Sequence, residues 1–459
     1  MIELAGMRII VIGLGVSGYS AARILAPVAA GVRVSEEGAG PDVTERAAAL
    51  RALAVEVEIG GHDLSALDAD LVVVSPGIAP DAPVVRAARE KGLRIIGEIE
   101  LAFQLASCDF LAVTGTNGKT TTTSLLAAML RESNIPSTAA GNIGLPLIEA
   151  VQRVGRGGAI ALEVSSFQLA TIEDFRAKVA VVLNVAEDHT DWHGGLERYA
   201  AAKARITENQ RPEDSLLFNL EDERALAMSQ ATRARVVPFS SRSAPPGGIG
   251  VDGCRVVWRG EPVLHMDDLS MPGQAGIENT IAAAGAALEY GLDHGVIARA
   301  VKAFEPLPHR MQTIAQIAGV TYINDSKATN PHAALAAVRG LTDVVLIAGG
   351  RSKGMDLTPL AGTAPPVRYV IALGEARDEL RDVFAERAPV TLAGSMTEAV
   401  GLAAEAAGDK GSVLLSPGCA SLDMYRSYAE RGQDFTRAVL SLDQSGTRRP
   451  EERREHGKS

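Results

Sequence analysis

The stretch FLAVTGTNGKTTTTSLLAAML, residues Phe110–Leu130, carries the clearest structural signal in the sequence. An apolar run leads through a loop rich in glycine and threonine, Gly115–Thr121, into an amphipathic segment. Glycines let backbone amides approach phosphate oxygens, the lysine adds positive charge, and a following hydroxyl can bind Mg²⁺. The order strand, phosphate loop and helix therefore predicts a mononucleotide-binding α/β domain.

This loop departs from the usual spacing of phosphate loops. Val113 stands where the pattern G-x-x-x-x-G-K-[ST] requires its first glycine, so we interpret the loop as a shorter variant. A plain strand-to-helix turn is the alternative. Such a turn rarely carries Gly-Lys-Thr-Thr at the start of a helix, and the phosphate-binding interpretation is favoured.

Short apolar runs without polar alternation recur along the chain, which is typical of strands buried on both faces of a parallel sheet. The clearest are RIIVIG, DLVVVSPG, AIALEVSS, VAVVLNV, DVVLIAGG, VRYVIALG and SVLLSPG. Alanine-rich amphipathic segments separate several of them, so the alternation predicts doubly wound α/β domains. A chain of 459 residues is too long for one core, and roughly 150 residues per domain gives about three.

The domain boundaries are predicted from where this pattern restarts. Residues 1–107 form a Rossmann-like domain, residues 108–306 a central P-loop-type mononucleotide-binding α/β domain, and residues 307–442 a C-terminal Rossmann-like α/β domain. We expect an antiparallel hairpin around CRVVWRGEPVLHM in the central domain. The polar tail, residues 443–459, is predicted to be disordered.

The composition of the chain excludes several classes of binding partner. A net charge of −11 without a long block of Lys or Arg argues against binding to nucleic acid or a membrane surface. No stretch reaches the roughly 18 apolar residues of a membrane span, and the N-terminus lacks the pattern of a secretory signal. Three distant cysteines, Cys108, Cys254 and Cys419, fit a reduced compartment better than a disulfide framework or a zinc site. We expect a cytoplasmic monomer that acts on small molecules.

Metal-ligand side chains follow two apolar runs after the phosphate loop. Glu163 ends one run, while Asp188, His189 and Asp191 follow the next. A magnesium nucleotide needs such partners. Each residue alone would be explained as an exposed polar side chain or a helix cap. Acidic or histidine side chains at the ends of two consecutive strands are less easily explained that way. Lys203, taken alone, is a typical solvated helix lysine.

A second glycine loop, Gly13–Gly18, matches G-x-G-x-x-G after the first apolar run. The pattern is typical of dinucleotide sites, where an acidic residue about 20 positions later meets the ribose; Glu36 holds that place. The pattern is weak evidence by itself and leaves a nicotinamide enzyme open.

Taken together, these residues resemble the Mur ligase family, the ATP-dependent amino-acid ligases of peptidoglycan precursor synthesis. The family patterns GTNGK[ST], E-x-S-S-[FY]-Q and N-x-x-x-D-H-x-D occur at Gly115–Thr120, Glu163–Gln168 and Asn184–Asp191. Further segments resemble the member that adds D-glutamate to UDP-N-acetylmuramoyl-L-alanine: GNIGLPL (Gly141–Leu147), LPHRM (Leu307–Met311), INDSKATN (Ile323–Asn330) and LLSPGCASLDMYRSYAERGQDF (Leu414–Phe435). The resemblance extends to about Val439.

The resemblance implies a two-step ligation through an acyl phosphate, with ATP and two Mg²⁺ ions, and a carbamylated Lys203. It implies the catalytic residues Lys119, Glu163, His189 and Lys203, and the metal ligands Thr120, Glu163, His189 and Lys203. The implied ATP contacts are Gly115, Thr116, Asn117, Gly118, Lys119, Thr120, Thr121, Asn279, Arg310 and Asp325. Those to the UDP substrate are Val16, Ser17, Gly18, Glu36, Ser75, Gly77, Asn142 and His189. Those to D-glutamate are Lys327, Thr329, Lys353, Ser421, Leu422 and Tyr428.

Departures from the family pattern leave some contacts open. Ala275–Gly276 replace a frequent His-Asn near the adenine residue, Glu37–Gly38 replace a hydroxyl and an arginine near the uracil, and Pro331 follows Asn330 beside the glutamate site. Three rival functions are a folylpolyglutamate synthetase, a nicotinamide-dependent oxidoreductase and a non-catalytic nucleotide-binding module. The first would lack the N-terminal domain, and the complete set of predicted catalytic residues argues against the third.

Overall fold

The computed structural model describes residues 2–188, 190–271 and 273–445. The chain divides into two compact units, Met1–Leu269 with Glu278–Phe304 and Ser270–Ile277 with Glu305–Ser459. Within the described residues the first unit contains two β-sheets and the second unit contains one.

The first sheet is parallel and has the strand order β3-β2-β1-β4-β5. Its strands are β1 (Arg8–Ile12), β2 (Gly31–Glu36), β3 (Glu56–Ile59), β4 (Leu71–Val74) and β5 (Ile95–Gly97). The helices between and after them are α1 (Val16–Leu25), α2 (Pro41–Arg51), α3 (Pro83–Glu90) and α4 (Glu98–Leu105). The strand order reverses between β1 and β4, which is where doubly wound sheets bind ligands.

The second sheet has the order β14-β13-β12-β11-β10-β9-β6-β8-β7. Its strands are β6 (Asp109–Thr114), β7 (Ser137–Gly141), β8 (Ala159–Glu163), β9 (Val179–Val182), β10 (Ser215–Asn219), β11 (Arg235–Ser240), β12 (Ile249–Asp252), β13 (Arg255–Trp258) and β14 (Glu261–His265). The helices are α5 (Lys119–Glu132), α6 (Leu147–Val154), α7 (Ser166–Leu169), α8 (Thr190–His193), α9 (Leu196–Ala204), α10 (Glu223–Ala231), α11 (Gly273–Tyr290) and α12 (His294–Ala303). Strand β6 pairs in parallel with both β8 and β9, so the loops after these three strands leave the same edge.

The predicted hairpin is confirmed, because β13 and β14 pair in antiparallel fashion. One hydrophobic core continues through both sheets of the first unit and includes Val11, Leu101, Phe110 and Leu147. Polar contacts join the two sheets as well. Glu100 Oε2 accepts hydrogen bonds from three consecutive backbone amides, those of residues 173–175, at 2.8, 3.1 and 2.9 Å. Such contacts hold the two glycine loops in one compact body.

The third sheet, in the second unit, has the order β15-β16-β20-β17-β18-β19, and only β15 is antiparallel to its neighbour. Its strands are β15 (Gln312–Ile317), β16 (Val320–Asn324), β17 (Val344–Gly349), β18 (Val367–Leu373), β19 (Val390–Ala393) and β20 (Ser412–Leu415). The helices are α13 (Pro331–Val338), α14 (Arg377–Phe384), α15 (Met396–Ala407) and α16 (Tyr428–Ser445). Two apolar clusters include residues from this sheet and its helices.

The predicted α/β class is confirmed by these sheets, whereas the domain boundaries at 107 and 306 stay a prediction. Pro331 is the first residue of α13, where its fixed φ suits a helix start, and Asn330 caps that helix. Residues 443–445 still belong to α16, and the rest of the tail lies outside the described residues. In the part of the chain that the structure describes, no helix combines the length and apolarity needed to cross a membrane.

Candidate active site

The phosphate loop joins β6 to α5, as the sequence predicts. Gly118 caps α5 with a φ of +86°, and a Cβ atom at this position would lie 2.3 Å from Asn279 Oδ1. Only glycine fits here. Thr122 Oγ1 also donates to Asn279 Oδ1 at 3.3 Å. The predicted adenine residue Asn279 therefore lies against the first turn of α5.

Asn184, at the end of β9, determines the shape of this loop. Its side-chain Oδ1 accepts hydrogen bonds from the amides of Thr116 (3.2 Å) and Asn117 (2.9 Å), and its Nδ2 donates to Asn117 O at 3.2 Å. Its backbone oxygen accepts from Thr116 N at 2.8 Å. The loop is thus held from the neighbouring strand by a side chain to which sequence reasoning gave no role.

Two lysines share one acceptor in the loop. Lys119 Nζ donates to Gly115 O at 2.8 Å and to Thr116 O at 2.9 Å, and Lys203 Nζ donates to the same Gly115 O at 2.7 Å. Lys203 is only 1% exposed, unlike a solvated helix lysine, and lies 4.4 Å from the Tyr199 ring centroid.

The environment of Lys203 favours the neutral amine. Burial lowers the pKa of Lys203 well below its usual value, and the charge of Lys119 lowers it further. The negative charges of Asp188 and Glu163 oppose this shift without cancelling it. A neutral amine is a nucleophile, whereas an ammonium group is not.

Glu163 ends β8 and is 2% exposed. Its Oε1 accepts a hydrogen bond from Asn142 Nδ2 at 2.7 Å, and its backbone oxygen accepts from Asn142 N at 2.9 Å. Its Oε2 is buried and has no hydrogen-bond partner within the described residues. The structure therefore brings the predicted catalytic carboxylate together with Asn142, a predicted substrate contact.

The residues around the phosphate loop fit a magnesium nucleotide. An unpartnered buried carboxylate oxygen is costly unless a cation or donor meets it, and Mg²⁺ prefers oxygen ligands. Among residues 2–188, 190–271 and 273–445 no three His, Cys, Asp or Glu side chains form a metal cage. Mg²⁺ in nucleotide sites usually takes one or two carboxylates plus phosphates and water, so Glu163 and the Thr120 hydroxyl suit it. The predicted ligand His189 lies outside the described residues.

The first glycine loop is shaped by close packing at the start of α1. A Cβ atom at Gly18 would lie 2.0 Å from Gly13 O and 2.7 Å from Ser75 Oγ. Ser75 Oγ also donates to Gly13 O at 3.2 Å, which joins the loops after β1 and β4. Val16 is 57% exposed at this helix start. The predicted UDP-binding residues therefore adjoin at the switch point of the sheet, with Val16, Ser17 and Gly18 in the first turn of α1 and Ser75 and Gly77 in the loop after β4.

Glu36 has a structural task in the same region. Its Oε2 accepts from Leu14 N at 2.5 Å and its Oε1 from Gly38 N at 2.7 Å. The carboxylate thus ties the loop after β2 to the glycine loop. Gly38 supplies one of these amides.

In the second unit, Asp325 lies at the end of β16 and is 8% exposed. Its oxygens accept from Met311 N at 3.2 Å and from Ser416 Oγ at 3.1 Å. Burial raises the pKa of Asp325 to about 7, although these hydrogen bonds and the Arg310 charge act to lower it. The predicted ATP contacts Arg310 and Asp325 therefore interact electrostatically.

The predicted glutamate-binding residues follow three parallel strands of this sheet. Lys327 Nζ lies 4.0 Å from the ring centroid of Tyr428. Arg351 and Ala420 exchange two backbone hydrogen bonds, at 2.9 and 3.0 Å, which joins the loop of Lys353 to that of Ser421. The side chains on these loops differ in exposure: Ser421 is buried, Thr329 is half-buried, and Lys353 and Leu422 are exposed.

Three family models match the chain: "Mur ligase MurD-like, N-terminal domain" over residues 7–97, "Mur ligase middle domain" over 113–287 and "Mur ligase, glutamate ligase domain" over 309–419. Proteins from Caldanaerobacter subterraneus and Frankia casuarinae, both named UDP-N-acetylmuramoylalanine--D-glutamate ligase, are 38% and 42% identical to it. These alignments cover 96% of this chain, and 99% and 96% of the relatives. The chain belongs to the Mur ligase family.

Solved structures agree with this Mur ligase in fold. UDP-N-acetylmuramate-alanine ligase MurC from Thermotoga maritima has a TM-score of 0.59 at 19% identity, over 96% of this chain and 100% of that one. A pseudomurein peptide ligase type C from Methanothermus fervidus has a TM-score of 0.61 at 17% identity, over 95% and 100%. At such identities the likeness shows the fold alone, and it confirms the predicted three-domain α/β architecture.

Sequence reasoning missed Arg431, which this Mur ligase buries completely in the second unit. Its guanidinium donates to Ser326 Oγ (3.0 Å), Ser326 O (2.8 Å), Gly349 O (3.3 Å) and Cys419 O (3.1 Å). One side chain thereby ties together the loops after β16, β17 and β20. An arginine inside a glycine- and serine-rich motif was the only signal in the sequence.

Proposed function

We propose that this Mur ligase joins D-glutamate to UDP-N-acetylmuramoyl-L-alanine and converts ATP to ADP and phosphate, in the synthesis of peptidoglycan precursors. The choice of substrates rests on relatives of that name at 37–42% identity across nearly the whole chain. The structural observation that carries the proposal is that the phosphate loop lies beside two buried side chains, Glu163 and Lys203. Within the described residues, Oε2 of Glu163 has no hydrogen-bond partner. This arrangement suits phosphoryl transfer to a carboxylate.

In the first step, a carboxylate oxygen of the substrate attacks the γ-phosphorus of ATP, the bond to the β–γ bridging oxygen breaks, and ADP leaves. The reaction brings two anions together, so catalysis consists mainly of positioning and neutralisation of charge. Lys119 and the amides at the start of α5 neutralise the γ-phosphate. Asn142 holds the substrate beside Glu163, to which its side chain is already bonded.

In the second step, the amine nitrogen of D-glutamate attacks the acyl carbon, loses a proton, and phosphate leaves. An amino acid with two carboxylates needs cations and hydroxyls around it. We assign these roles to Lys327, Lys353 and Ser421. The Lys327–Tyr428 contact supports this assignment, because the ring holds the ammonium group near the loop after β20.

Thr120 and Glu163 would hold one Mg²⁺ ion, and His189 with Lys203 a second. When bound, the metal supplies positive charge to the phosphate oxygens. Lys203 suits this role only after carbamylation: its neutral nitrogen attacks CO₂, releases a proton and becomes an anionic carbamate. A carbamate signal from ¹³C-bicarbonate in the NMR spectrum of the wild type, absent from Lys203→Ala, tests this. We further propose a cytoplasmic monomer.

The reaction is tested by phosphate release with Mg²⁺, ATP and UDP-N-acetylmuramoyl-L-alanine, with D-glutamate, L-glutamate, L-alanine or no amino acid added in parallel. We expect release with D-glutamate only. Release with another amino acid would keep the ligase chemistry and discard the proposed acceptor. No release in any arm would refute the proposal and return the first glycine loop to the dinucleotide interpretation.

A matched pair of variants separates chemistry from folding. Glu163→Gln preserves the size of the side chain and the Asn142 contact but removes the charge, so phosphate release should fall at least a hundredfold. Glu149→Gln makes the same change on α6, away from the phosphate loop, and should leave the rate within about twofold. Equal rates for both variants would remove Glu163 from the mechanism.

A further inference from the structure

Four aromatic side chains form a cluster beside the phosphate loop: Phe167, Trp192, His193 and Tyr199. The His193 ring lies parallel to that of Phe167, at an interplanar angle of 3° and a centroid distance of 5.5 Å. Trp192 meets both rings edge-on at 4.5 Å, and Tyr199 meets His193 edge-on at 5.3 Å. None of these contacts has a part in the ligation steps above.

His193 is 9% exposed and also makes a polar contact in this cluster. Its Nε2 is hydrogen-bonded to Ser166 Oγ at 2.9 Å. Ser166 begins α7, three residues after Glu163. On its other side, His193 contacts Tyr199, whose hydroxyl is 3.1 Å from Thr116 Oγ1 and whose ring lies under Lys203 Nζ. The imidazole therefore touches the segment after Glu163 and the helix that carries Lys203.

The sheet joins these two segments through β6 and not directly to each other. Strand β6 lies between β8 and β9, so the ends of β8 and β9 are about 10 Å apart and share no ladder hydrogen bonds. Beyond the strand ends, the backbone hydrogen bonds of the described residues join each loop to β6 and the loop after it, so direct contacts between the two loops come from side chains. His193, from the segment after β9, crosses to Ser166 and Phe167 in the segment after β8.

We propose that His193 is a positioning residue that sets the separation of Glu163 and Lys203, and hence the affinity for the metal–nucleotide. The proposal rests on the proposed magnesium nucleotide site. Groups that bind a metal must be held to within about 0.5 Å, and they rely on the residues behind them for this. Loss of such an outer partner typically weakens metal affinity 10–100-fold.

The test is a titration of the protein with Mn²⁺ in the presence of ATP, followed by the EPR signal of free Mn²⁺, so that no turnover is needed. We expect His193→Ala to raise the Mn²⁺ dissociation constant at least tenfold, while KM for D-glutamate stays within about twofold. His193→Phe keeps the stack but loses the Ser166 hydrogen bond, and Ser166→Ala loses only that bond. The variants His193→Phe and Ser166→Ala should each weaken Mn²⁺ binding severalfold. They replace His193→Ala in the test if that variant does not fold.

Phe103→Leu is the matched control for lost aromatic packing. Phe103 belongs to a separate aromatic cluster with Phe110 and Phe175, and Phe110 lies near the opposite end of β6 from the phosphate loop. This variant should lower Tm without changing Mn²⁺ affinity. If the His193 and Ser166 variants behave like Phe103→Leu, the positioning role is refuted. If the wild type binds no Mn²⁺ with ATP, the proposed function fails instead.

Discussion

Glu98 allows a quantitative prediction about stability. It lies on α4 at 1% exposure, and its Oε1 accepts from Ile148 N at 2.7 Å, in the first turn of α6. Its Oε2 has no hydrogen-bond partner in the described part of the chain. Burial raises the pKa of Glu98 from 4.5 to about 7, although the amides of Ile148 and Leu147 act to lower it. The folded protein therefore holds this proton more tightly than the unfolded chain does.

The sign and size of the effect follow from that shift. A carboxyl whose pKa is raised by folding destabilises the folded state as pH rises from the unfolded to the folded pKa. The shift from 4.5 to about 7 corresponds to about 3 kcal/mol in total. Of this, about 2 kcal/mol is lost between pH 5.5 and 8. Glu98→Gln cannot ionise and keeps an oxygen for the Ile148 amide, so it should not show this loss.

Calorimetric unfolding of the wild type and Glu98→Gln between pH 5.5 and 8 measures this difference. We expect the two Tm values to diverge with rising pH, with the variant the more stable at pH 8. Glu45→Gln, on the exposed part of α2, makes the same change in net charge and should follow the wild type. Parallel Tm curves for wild type and Glu98→Gln would refute the reasoning, because they would mean that Glu98 ionises equally easily in both states.

Two further predictions concern the second unit. Arg431→Met leaves buried acceptors on Ser326 and two other loops unsatisfied, so we expect a loss of roughly 3 kcal/mol or more in unfolding free energy and a higher KM for D-glutamate. A lower Tm with an unchanged KM for D-glutamate would show that Arg431 contributes to stability and not to D-glutamate binding. Asp325 gains a negative charge as pH rises through about 7, so KM for ATP, an anion, should rise over pH 6–8 in the wild type but not in Asp325→Asn. Identical pH profiles of the two proteins would contradict this.

The local parts of the fold could be predicted from the sequence. The two glycine loops, the helices after them and the β13–β14 hairpin depend on short-range rules, namely φ restrictions, apolar runs and turn chemistry. The nine-stranded order of the central sheet could not be predicted, because pairing between distant strands leaves no local pattern. The same holds for Asn184, whose amide shapes a loop nearly seventy positions earlier in the chain.

Glu36 illustrates a different limit of sequence reasoning. Its position after β2 matches the ribose-binding acid of dinucleotide sites, and position alone predicts contact with a ligand. In the structure both of its oxygens accept backbone amides, from Leu14 and Gly38. A carboxylate with these hydrogen bonds can contribute to nucleotide binding by holding the loop in shape as well as by contacting the nucleotide. Sequence position does not distinguish these two roles.

Lys119 and Lys203 illustrate how the candidate site depends on charge. Both donate to Gly115 O, and two ammonium groups on one acceptor repel each other in a buried site. Burial, and after it this repulsion, lowers the pKa of Lys203, which favours the neutral amine that CO₂ requires. Once carbamylated as we propose, Lys203 carries a negative charge beside Lys119, and repulsion turns into attraction.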